Sequence, residues 1–111
     1  MTHGPEYKVK VKVGKALATL PKMYRFMPVQ RGLGAATLDY LICAGGWFIS
    51  IETKAKGKKL TPRQEITKAE IEAADGLVFV VDDDESLNYA MDRIRACCLL
   101  ANEIRKPTEK D

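Results

Sequence analysis

Two apolar segments that favour β-structure flank a Gly-Gly pair near the middle of the chain, and this pattern constrains the fold more than any other. Residues 38–43 read LDYLIC and residues 47–54 read WFISIETK, with Gly45-Gly46 between them. Glycine readily adopts the positive φ angles that tight hairpin turns require. The sequence therefore predicts a β-hairpin over residues 38–54.

The length of the hairpin loop decides whether two carboxylates face each other. With a two-residue loop, the numbers of paired residues sum to 91, and Asp39 lies opposite Glu52. A three-residue loop would instead place Asp39 opposite Ile51. Directly opposed like charges destabilise a sheet, so a pair of this kind needs a neutralising group, for which a divalent cation is the obvious candidate. Strand periodicity also places Lys54 on the same face as Glu52.

Length and composition indicate one globular domain over residues 1–111. The chain is 46% hydrophobic and 30% charged, which is ordinary for a soluble protein. No apolar run approaches the roughly 18 residues of a membrane span, and the first residues lack the pattern of a signal peptide. The three cysteines all lie in apolar segments, which suits a reducing compartment. We expect a cytoplasmic protein that does not contact a membrane.

Charge is distributed unevenly along the chain. Residues 1–68 contain 13 Lys or Arg and 4 Asp or Glu, a net charge of +9, whereas residues 69–111 contain 5 and 11, a net charge of −6. A strongly basic first part favours an anionic polymer as the partner. The alternative is a solubilising surface on which the two parts neutralise each other.

The first half of the chain leaves one element open. Within residues 5–20, residues 8–13 alternate lysine and valine as a strand would, but the segment also places apolar residues at helical spacing. Propensity does not decide between the two. Residues 23–30 predict a strand with Tyr24 and Phe26 on one face, and Pro28 marks an edge or a bulge.

The second half predicts helix, strand and helix. Thr61, Pro62 and Gln64 form a strong helix start with a capping box, and the helix extends to about residue 74. Its inward positions are expected to be Ile66, Ala69 or Glu70, and Ala73. Residues 77–81 form a continuous apolar run, typical of a strand buried on both faces. A helix from about residue 86 to 104 follows, with Leu87, Ala90, Ile94, Cys97 or Cys98, and Ala101 inward.

This order of elements predicts an α/β sandwich around a mixed sheet of about four strands. The acidic run Asp82-Asp83-Asp84-Glu85 is interpreted as a strand-to-helix loop that favours the helix N-terminus rather than as a metal site.

The hairpin residues carry the expected chemistry. Two carboxylates, Asp39 and Glu52, together with the backbone carbonyl of Thr53, offer hard oxygen ligands that suit Mg²⁺ or Mn²⁺. A cation there would favour the ionised carboxylates and activate water for attack on a phosphate. Lys54 would help to position or deprotonate that water and would hold the substrate phosphate.

Asp39, followed by Glu52-Thr53-Lys54, resembles the D-(x)n-E-x-K signature of the PD-(D/E)xK nuclease superfamily. The wider similarity covers about residues 6–90 and resembles the VRR-NUC branch, whose stand-alone members are common in bacteriophages. It is carried by RGLG at 31–34, LD at 38–39, GWF at 46–48, IETK at 51–54, GKKLTPRQ at 57–64 and AADGLVFVV at 73–81. Two positions depart from the family pattern: Leu38 replaces the usual proline, and Asp75-Gly76 replaces a Gly-Gly pair.

The resemblance implies a restriction-endonuclease-like fold and a Mg²⁺- or Mn²⁺-dependent DNA nuclease. Asp39 and Glu52 would bind metal, Lys54 would be catalytic, and Gln64 would be the helix glutamine that completes the site. Glu6 would match the acidic residue of the first helix, which favours a helix over residues 5–20. A homodimer and a preference for junction or branched DNA would also follow.

Several of these residues have simpler explanations. In these explanations, Gln64 would serve only as a capping-box residue, and Glu6 would be an ordinary first-turn carboxylate. Trp47 is more typical of a core than of base stacking. The predicted nucleic-acid contacts, with a solvated loop as the alternative, are Arg31, Lys56, Lys58, Lys59 and Arg63.

Two other functions compete with the nuclease. The first is a catalytically silent nucleic-acid-binding or phage host-takeover protein on the same fold. The second is a structural interaction protein, which would leave both the charge asymmetry and the hairpin carboxylates unexplained.

Overall fold

A computed structural model describes residues 4–28 and 38–104, with side chains described as far as residue 100. Four strands form one sheet in the order β1-β2-β3-β4. The first three strands are antiparallel, and β3 and β4 are parallel. This confirms the predicted α/β architecture with a mixed four-stranded sheet. The elements are α1 (Pro5–Leu17), β1 (Met23–Phe26), β2 (Tyr40–Ala44), β3 (Trp47–Thr53), α2 (Pro62–Ala73), β4 (Leu77–Val81) and α3 (Asp84–Ile104).

The β2–β3 hairpin has the two-residue loop that the Gly-Gly pair predicts. Both glycines have positive φ angles, 61° at Gly45 and 88° at Gly46. Ala44 pairs with Trp47, and at the other end of the ladder Tyr40 pairs with Ile51. The pair sum is therefore 91, and the next position along the ladder places Asp39 beside Glu52.

The first element is a helix, which settles the choice that propensity left open. Val13 and Leu17 of α1 are fully buried, one helical turn apart. The helix ends at Leu17, three residues before the expected residue 20. Thr19 donates a hydrogen bond of 2.7 Å from its hydroxyl to the carbonyl of Ala16 and closes the turn that follows.

The main core lies between α1, α3 and one face of the sheet, which we call the core face. Alternate residues of β2 and β3, such as Ile42 and Ile49, point towards it because side chains alternate along a strand. Leu87 packs against this core, and Ala90, Ile94, Cys97 and Cys98 are buried as predicted. The buried residues contributed by the sheet are Tyr40, Ile42, Ala44, Ile49, Ile51 and Val81.

The opposite face of the sheet, called the second face, carries Leu41, Cys43, Ser50 and Glu52 by the same alternation. Helix α2 covers the part of this face that lies over β3 and β4. It begins with the predicted capping box and ends in a Schellman-type turn, in which Gly76 N–H donates to the carbonyl of Ile71 at 2.9 Å.

Asp75 takes the positive φ of that turn (67°), where the family pattern has glycine. Asp75-Gly76 therefore still forms the turn, as expected. A Cβ atom on Gly76 would lie 2.6 Å from the Ile71 side chain, so the second glycine is required by close packing.

Two expectations about α2 and β4 are wrong. Ile66, Ala69, Glu70 and Ala73 of α2 are all exposed, and Thr67 is its buried residue. The helix is rotated away from the expected phase because its contact face follows Gln64, Thr67 and Ile71 (i, i+3, i+7).

Strand β4 is not buried on both faces. Leu77 to Val80 are half-buried, and Val81 alone in this strand is fully buried. The physical reason is position: β4 is an edge of the sheet, so one side of the strand has no neighbour among the described residues.

The remaining differences are small. Strand β1 ends at Phe26, earlier than residue 30, although residues 29 and 30 lie outside the described part. Helix α3 begins at Asp84 rather than at residue 86, and Met91 joins the predicted core positions. The burial of Ala101 lies outside the described side chains. Of the described helices, none has the length and apolar character needed to cross a membrane.

Candidate metal centre

Three carboxylates meet at the end of the β2–β3 ladder that lies away from the Gly-Gly turn. Asp39 stands just before β2, and Glu52 is the second-last residue of β3. Helix α1 brings Glu6 to the same point. Each of the three offers one oxygen, and these oxygens all lie within 4.8 Å of one another. The structure therefore brings together the two predicted metal ligands and the weaker candidate Glu6.

Thr53 fixes the position of Asp39. Its backbone N–H donates to Oδ2 of Asp39 at 3.0 Å, and its hydroxyl donates to the same oxygen at 2.6 Å. The other oxygen, Oδ1, faces the ammonium of Lys10 at 3.5 Å. Oδ1 is thus the oxygen of Asp39 that is available to a cation. The carbonyl of Thr53 as a ligand stays a prediction.

Glu52 is buried and hydrogen-bonded through both oxygens. Only 2% of its surface is exposed. Its Oε1 accepts from the backbone N–H of Asp39 at 3.0 Å, and its Oε2 accepts from Nε2 of Gln64 at 2.8 Å. Nζ of Lys54 lies 3.9 Å from Oε2.

Burial and the neighbouring acids raise the pKa of Glu52 to about 7. Burial contributes most and the charge of Asp39 next, with a smaller contribution from Glu6 in the same direction. The hydrogen bond from Asp39 N–H and the charge of Lys54 oppose the rise in pKa but do not cancel it. Without a cation, Glu52 is therefore about half protonated near neutral pH.

Gln64 does two things with one side-chain amide. Its Oε1 accepts from the backbone N–H of Thr61 at 2.9 Å, which completes the capping box of α2. Its Nε2 donates to Glu52. The capping role predicted for Gln64 is therefore confirmed. Gln64 also contacts Glu52, and its role as a site residue stays a prediction.

Lys54 lies directly after β3 and is 8% exposed. Its backbone N–H donates to the carbonyl of Val81 at 3.0 Å, which continues the pairing of β3 with β4 past the end of the strand. The ammonium is therefore held beside Glu52 by the sheet rather than by a loop.

Lys10 is the site residue that sequence reasoning missed. The hydroxyl of Tyr40 donates to the backbone carbonyl of Lys10 at 3.0 Å, so α1 is tied to the sheet at this point. A signal was present: Lys10 follows Glu6 by four residues, and residues so spaced share one face of a helix.

The donor set fits a hard divalent cation. Carboxylate oxygens are the ligands that Mg²⁺ and Mn²⁺ prefer, and the three oxygens are close enough to share one ion. Two carboxylates that repel each other, one of them buried, also make a site that a cation stabilises. The three carboxylates therefore fit a divalent cation, and its identity as Mg²⁺ or Mn²⁺ stays a prediction.

The predicted nucleic-acid contacts divide into two groups. Lys58, Lys59 and Arg63 are exposed, and none of them forms an ion pair with a described residue. Lys56 instead pairs with Asp83. Arg31 lies outside the described residues.

The acidic run after β4 forms the predicted loop at the start of α3. Asp83 accepts a hydrogen bond from the backbone N–H of Ser86 at 2.8 Å, which is the geometry of an N-cap. Asp82 accepts from the backbone N–H of Gly57 at 2.9 Å. Lys56 and Ser86 hold the pKa of Asp83 well below its usual range.

Trp47 packs against the core as a half-buried residue. This agrees with the core interpretation of the residue rather than with base stacking.

No model of a known protein family matches the chain, and no curated protein matches it. Membership of the nuclease family that the sequence motifs resemble therefore stays a prediction.

Proposed function

We propose that the protein is a metal-dependent nuclease that hydrolyses phosphodiester bonds of DNA. The observation that carries the proposal is the meeting of Glu6, Asp39 and Glu52 within 4.8 Å, with the ammonium of Lys54 3.9 Å from Glu52. Such an enzyme would act in the cytoplasm, that of a bacterial host if the chain is phage-encoded.

Asp39 and Glu52 would hold Mg²⁺ or Mn²⁺, with Glu6 as a third carboxylate. When bound, the cation would neutralise the carboxylates, lower the pKa of water and stabilise charge on the phosphate in the transition state. Oδ1 of Asp39 faces this position because Thr53 occupies Oδ2.

Lys54 would act on the reacting groups, and Gln64 would orient Glu52. Lys54 is a cation held at a fixed position by the sheet, which suits it to orient the attacking water and to contact a phosphate oxygen. Gln64 fixes Oε2 of Glu52, so that this carboxylate points to one place.

Lys10 neutralises Asp39 when no other cation is present. Because ammonium and metal would compete for the same carboxylate, we infer that Lys10 moves away from Asp39 on metal binding and contacts substrate phosphate instead.

The substrate proposal is supported by charge. The three carboxylates belong to the basic first part of the chain, Lys10 and Lys54 lie beside them, and Lys58, Lys59 and Arg63 follow in the turn and helix after Lys54. These side chains would contact phosphates, whose binding falls with rising salt concentration. Junction or branched DNA and a homodimer stay proposals that rest on the family resemblance.

A second candidate is a DNA-binding protein that uses the same surface without cleavage. One observation favours it: Lys10 already provides Asp39 with a cationic partner. A site of this kind can be stable without metal.

Cleavage of labelled DNA separates the two functions. Linear, nicked and four-way-junction substrates are incubated with Mg²⁺, Mn²⁺ or EDTA. We expect cleavage that requires metal and is lost in Asp39→Asn and Lys54→Ala. Asp84→Asn provides the matched control because it removes the same charge from an exposed position at the start of α3.

Salt-sensitive binding with no cleavage in any metal would support the DNA-binding protein and reject the nuclease. Absence of both binding and cleavage at low salt would reject both functions.

A further inference from the structure

Three aromatic rings are exposed on the second face of the sheet. Tyr24 and Phe26 of β1 are 69% and 53% exposed, and Phe48 of β3 is 49% exposed. Tyr24 pairs with Cys43, and Cys43 pairs with Phe48, so Tyr24, Cys43 and Phe48 form one row across the strands. Phe26 lies two residues further along β1. We call this surface the aromatic face, which consists of Tyr24, Phe26, Leu41, Cys43 and Phe48.

The fold leaves this surface open. Helices α1 and α3 pack on the core face, and α2 covers β3 and β4, so no described helix covers the β1–β2 part of the second face. The intervening residue of β1, Arg25, points the other way: its Nη1 donates to the carbonyl of Gly14 at 3.0 Å. Large exposed apolar patches on a folded protein commonly mark binding surfaces.

The aromatic face leads to the carboxylates. Phe26 pairs with Leu41, and Leu41 follows Asp39 by two residues. Leu41 also pairs with Ser50, which precedes Glu52 by two residues. Two residues of a strand span about 7 Å, and neighbouring strands lie about 5 Å apart, so Phe26 lies one side-chain position along and one strand across from Asp39. Tyr24 lies one position further.

We propose that the aromatic face binds unpaired nucleobases of the strand to be cut by stacking them on Tyr24, Phe26 and Phe48. The inference rests on the proposed function, because it uses the carboxylates to position the strand. A strand with a phosphate at Asp39 and Glu52 extends over these rings within its next few nucleotides. Every base has a π-face, so such binding tolerates any sequence.

Charge favours nucleic acid over a second copy of the chain on this surface. The aromatic face belongs to residues 1–68, whose net charge is +9. Glu70 and Asp75 border the face at Phe48, so the phosphates of a bound strand are expected at the opposite end, where the face approaches the carboxylates proposed to hold the cation. The substrate class that follows is single-stranded nucleic acid, or a duplex with bases unpaired next to the cleaved bond.

Binding of short fluorescent oligothymidine in EDTA tests the stacking without any cleavage. We expect Tyr24→Leu and Phe26→Leu each to weaken binding about tenfold, the loss typical for one stacked base. Tyr24→Phe keeps a ring at the same position and should bind like the unchanged protein. Leucine keeps the apolar character, so a difference between the two variants at position 24 reports the ring itself.

Tyr89→Leu is the matched control. Tyr89 is 60% exposed on α3, on the opposite side of the sheet. Its replacement should leave the affinity for oligothymidine unchanged. Circular dichroism of each variant establishes that the fold is retained.

Two results would overturn the proposal. One is equal affinity of the leucine variants and the unchanged protein. The other is a dimer in sedimentation velocity that Tyr24→Leu and Phe26→Leu convert to a monomer without any effect on oligothymidine, which would assign the face to a second copy. Metal-dependent cleavage of DNA by the unchanged protein, with Asp39→Asn as its inactive control, is measured separately, so failure of the nuclease is distinguishable from failure of the stacking.

Discussion

Two acidic clusters among the described residues differ in how their carboxylates are neutralised. The hairpin cluster consists of Glu6, Asp39 and Glu52, and the loop cluster consists of residues 82–84. In the loop cluster, Lys56 pairs with Asp83 and Lys12 pairs with Asp84. In the hairpin cluster, the ammonium of the half-buried Lys10 lies 3.5 Å from Asp39, and that of the buried Lys54 lies 3.9 Å from Glu52. Both distances are longer than those of ordinary hydrogen bonds.

The pKa values follow these environments in opposite directions. The pKa of Asp83 is lowered because lysine and helix-cap hydrogen bonds favour the charged form. The pKa of Glu52 is raised to about 7 because burial and Asp39 disfavour it. The three consecutive acids of the loop cluster are therefore already neutralised by lysines and hydrogen bonds, whereas the buried Glu52 of the hairpin cluster is not.

The largest expected effect is on metal binding. We expect Asp39→Asn to weaken Mn²⁺ binding by about a hundredfold or more, since residues behind a metal ligand already contribute about ten- to hundredfold and Asp39 would be a ligand itself. Asp84→Asn, which removes the same charge from the loop cluster, should not change it. Isothermal titration calorimetry measures both. A loss of Mn²⁺ affinity in Asp84→Asn equal to that in Asp39→Asn would break the distinction between the clusters.

The next effect is the pH dependence of stability in EDTA. Glu52 has a pKa of 4.5 in the unfolded chain and of about 7 in the folded protein. Between these two pH values, the folded protein keeps the proton of Glu52 and the unfolded chain loses it. The folded state binds more protons there, so this residue lowers the free energy of unfolding as pH rises. Above pH 7, Glu52 lowers the free energy of unfolding by about 3 kcal/mol.

In Glu52→Gln this contribution is absent. Between pH 5 and 8 we therefore expect the free energy of unfolding of the variant to fall by about 2 to 3 kcal/mol less than that of the unchanged protein. Urea denaturation at the two pH values measures the difference. Equal pH dependence of the two proteins would contradict the raised pKa.

A smaller effect is expected at Lys10. Removal of its charge in Lys10→Met takes away a competitor for Asp39, so Mn²⁺ affinity should rise about two- to fivefold, as expected for one partly exposed ion pair. DNA binding should weaken in the same variant. Lys15→Met, an exposed lysine on the same helix, serves as the control for charge alone. Weaker Mn²⁺ binding in Lys10→Met would mean that the lysine supports the site rather than competes for it.

The smallest effect on metal binding is expected for a change in the loop cluster. The hydroxyl of Ser86 donates to Asp83 and accepts from the backbone N–H of Asp82. We expect Ser86→Ala to lower the free energy of unfolding by about 1 kcal/mol through the lost hydrogen bonds. Thermal denaturation measures this loss, and Mn²⁺ affinity should stay constant. A change in Mn²⁺ affinity would show that the two clusters are coupled.

Local rules predicted the geometry of the hairpin cluster because its determinants are close in sequence. Gly45-Gly46 sets the loop length, the loop sets the register, and the register brings Asp39 to Glu52. The start of α2 was equally predictable, since Thr61, Pro62 and Gln64 act within one turn.

Other features depended on tertiary placement. The phase of α2 was wrong because Gln64 contacts Glu52 and Thr67 and Ile71 face the sheet, which overrides the apolar positions Ile66 and Ala73. The exposure of β4 was missed because apolar composition does not tell an edge strand from a central one. Lys10 was missed because its role required α1 to be a helix, which propensity alone did not establish.

The shared amide of Gln64 has a consequence for which residues can occupy that position. Glutamate is also a common partner in a capping box, and it would accept the hydrogen bond from Thr61 equally well. It has no hydrogen to donate to Glu52, however, and would add another negative charge beside a carboxylate that is already difficult to ionise. Asparagine is too short by one methylene group to follow the same path. The capping box of α2 can be formed by glutamate or glutamine at position 64, whereas the hydrogen bond to Glu52 favours glutamine.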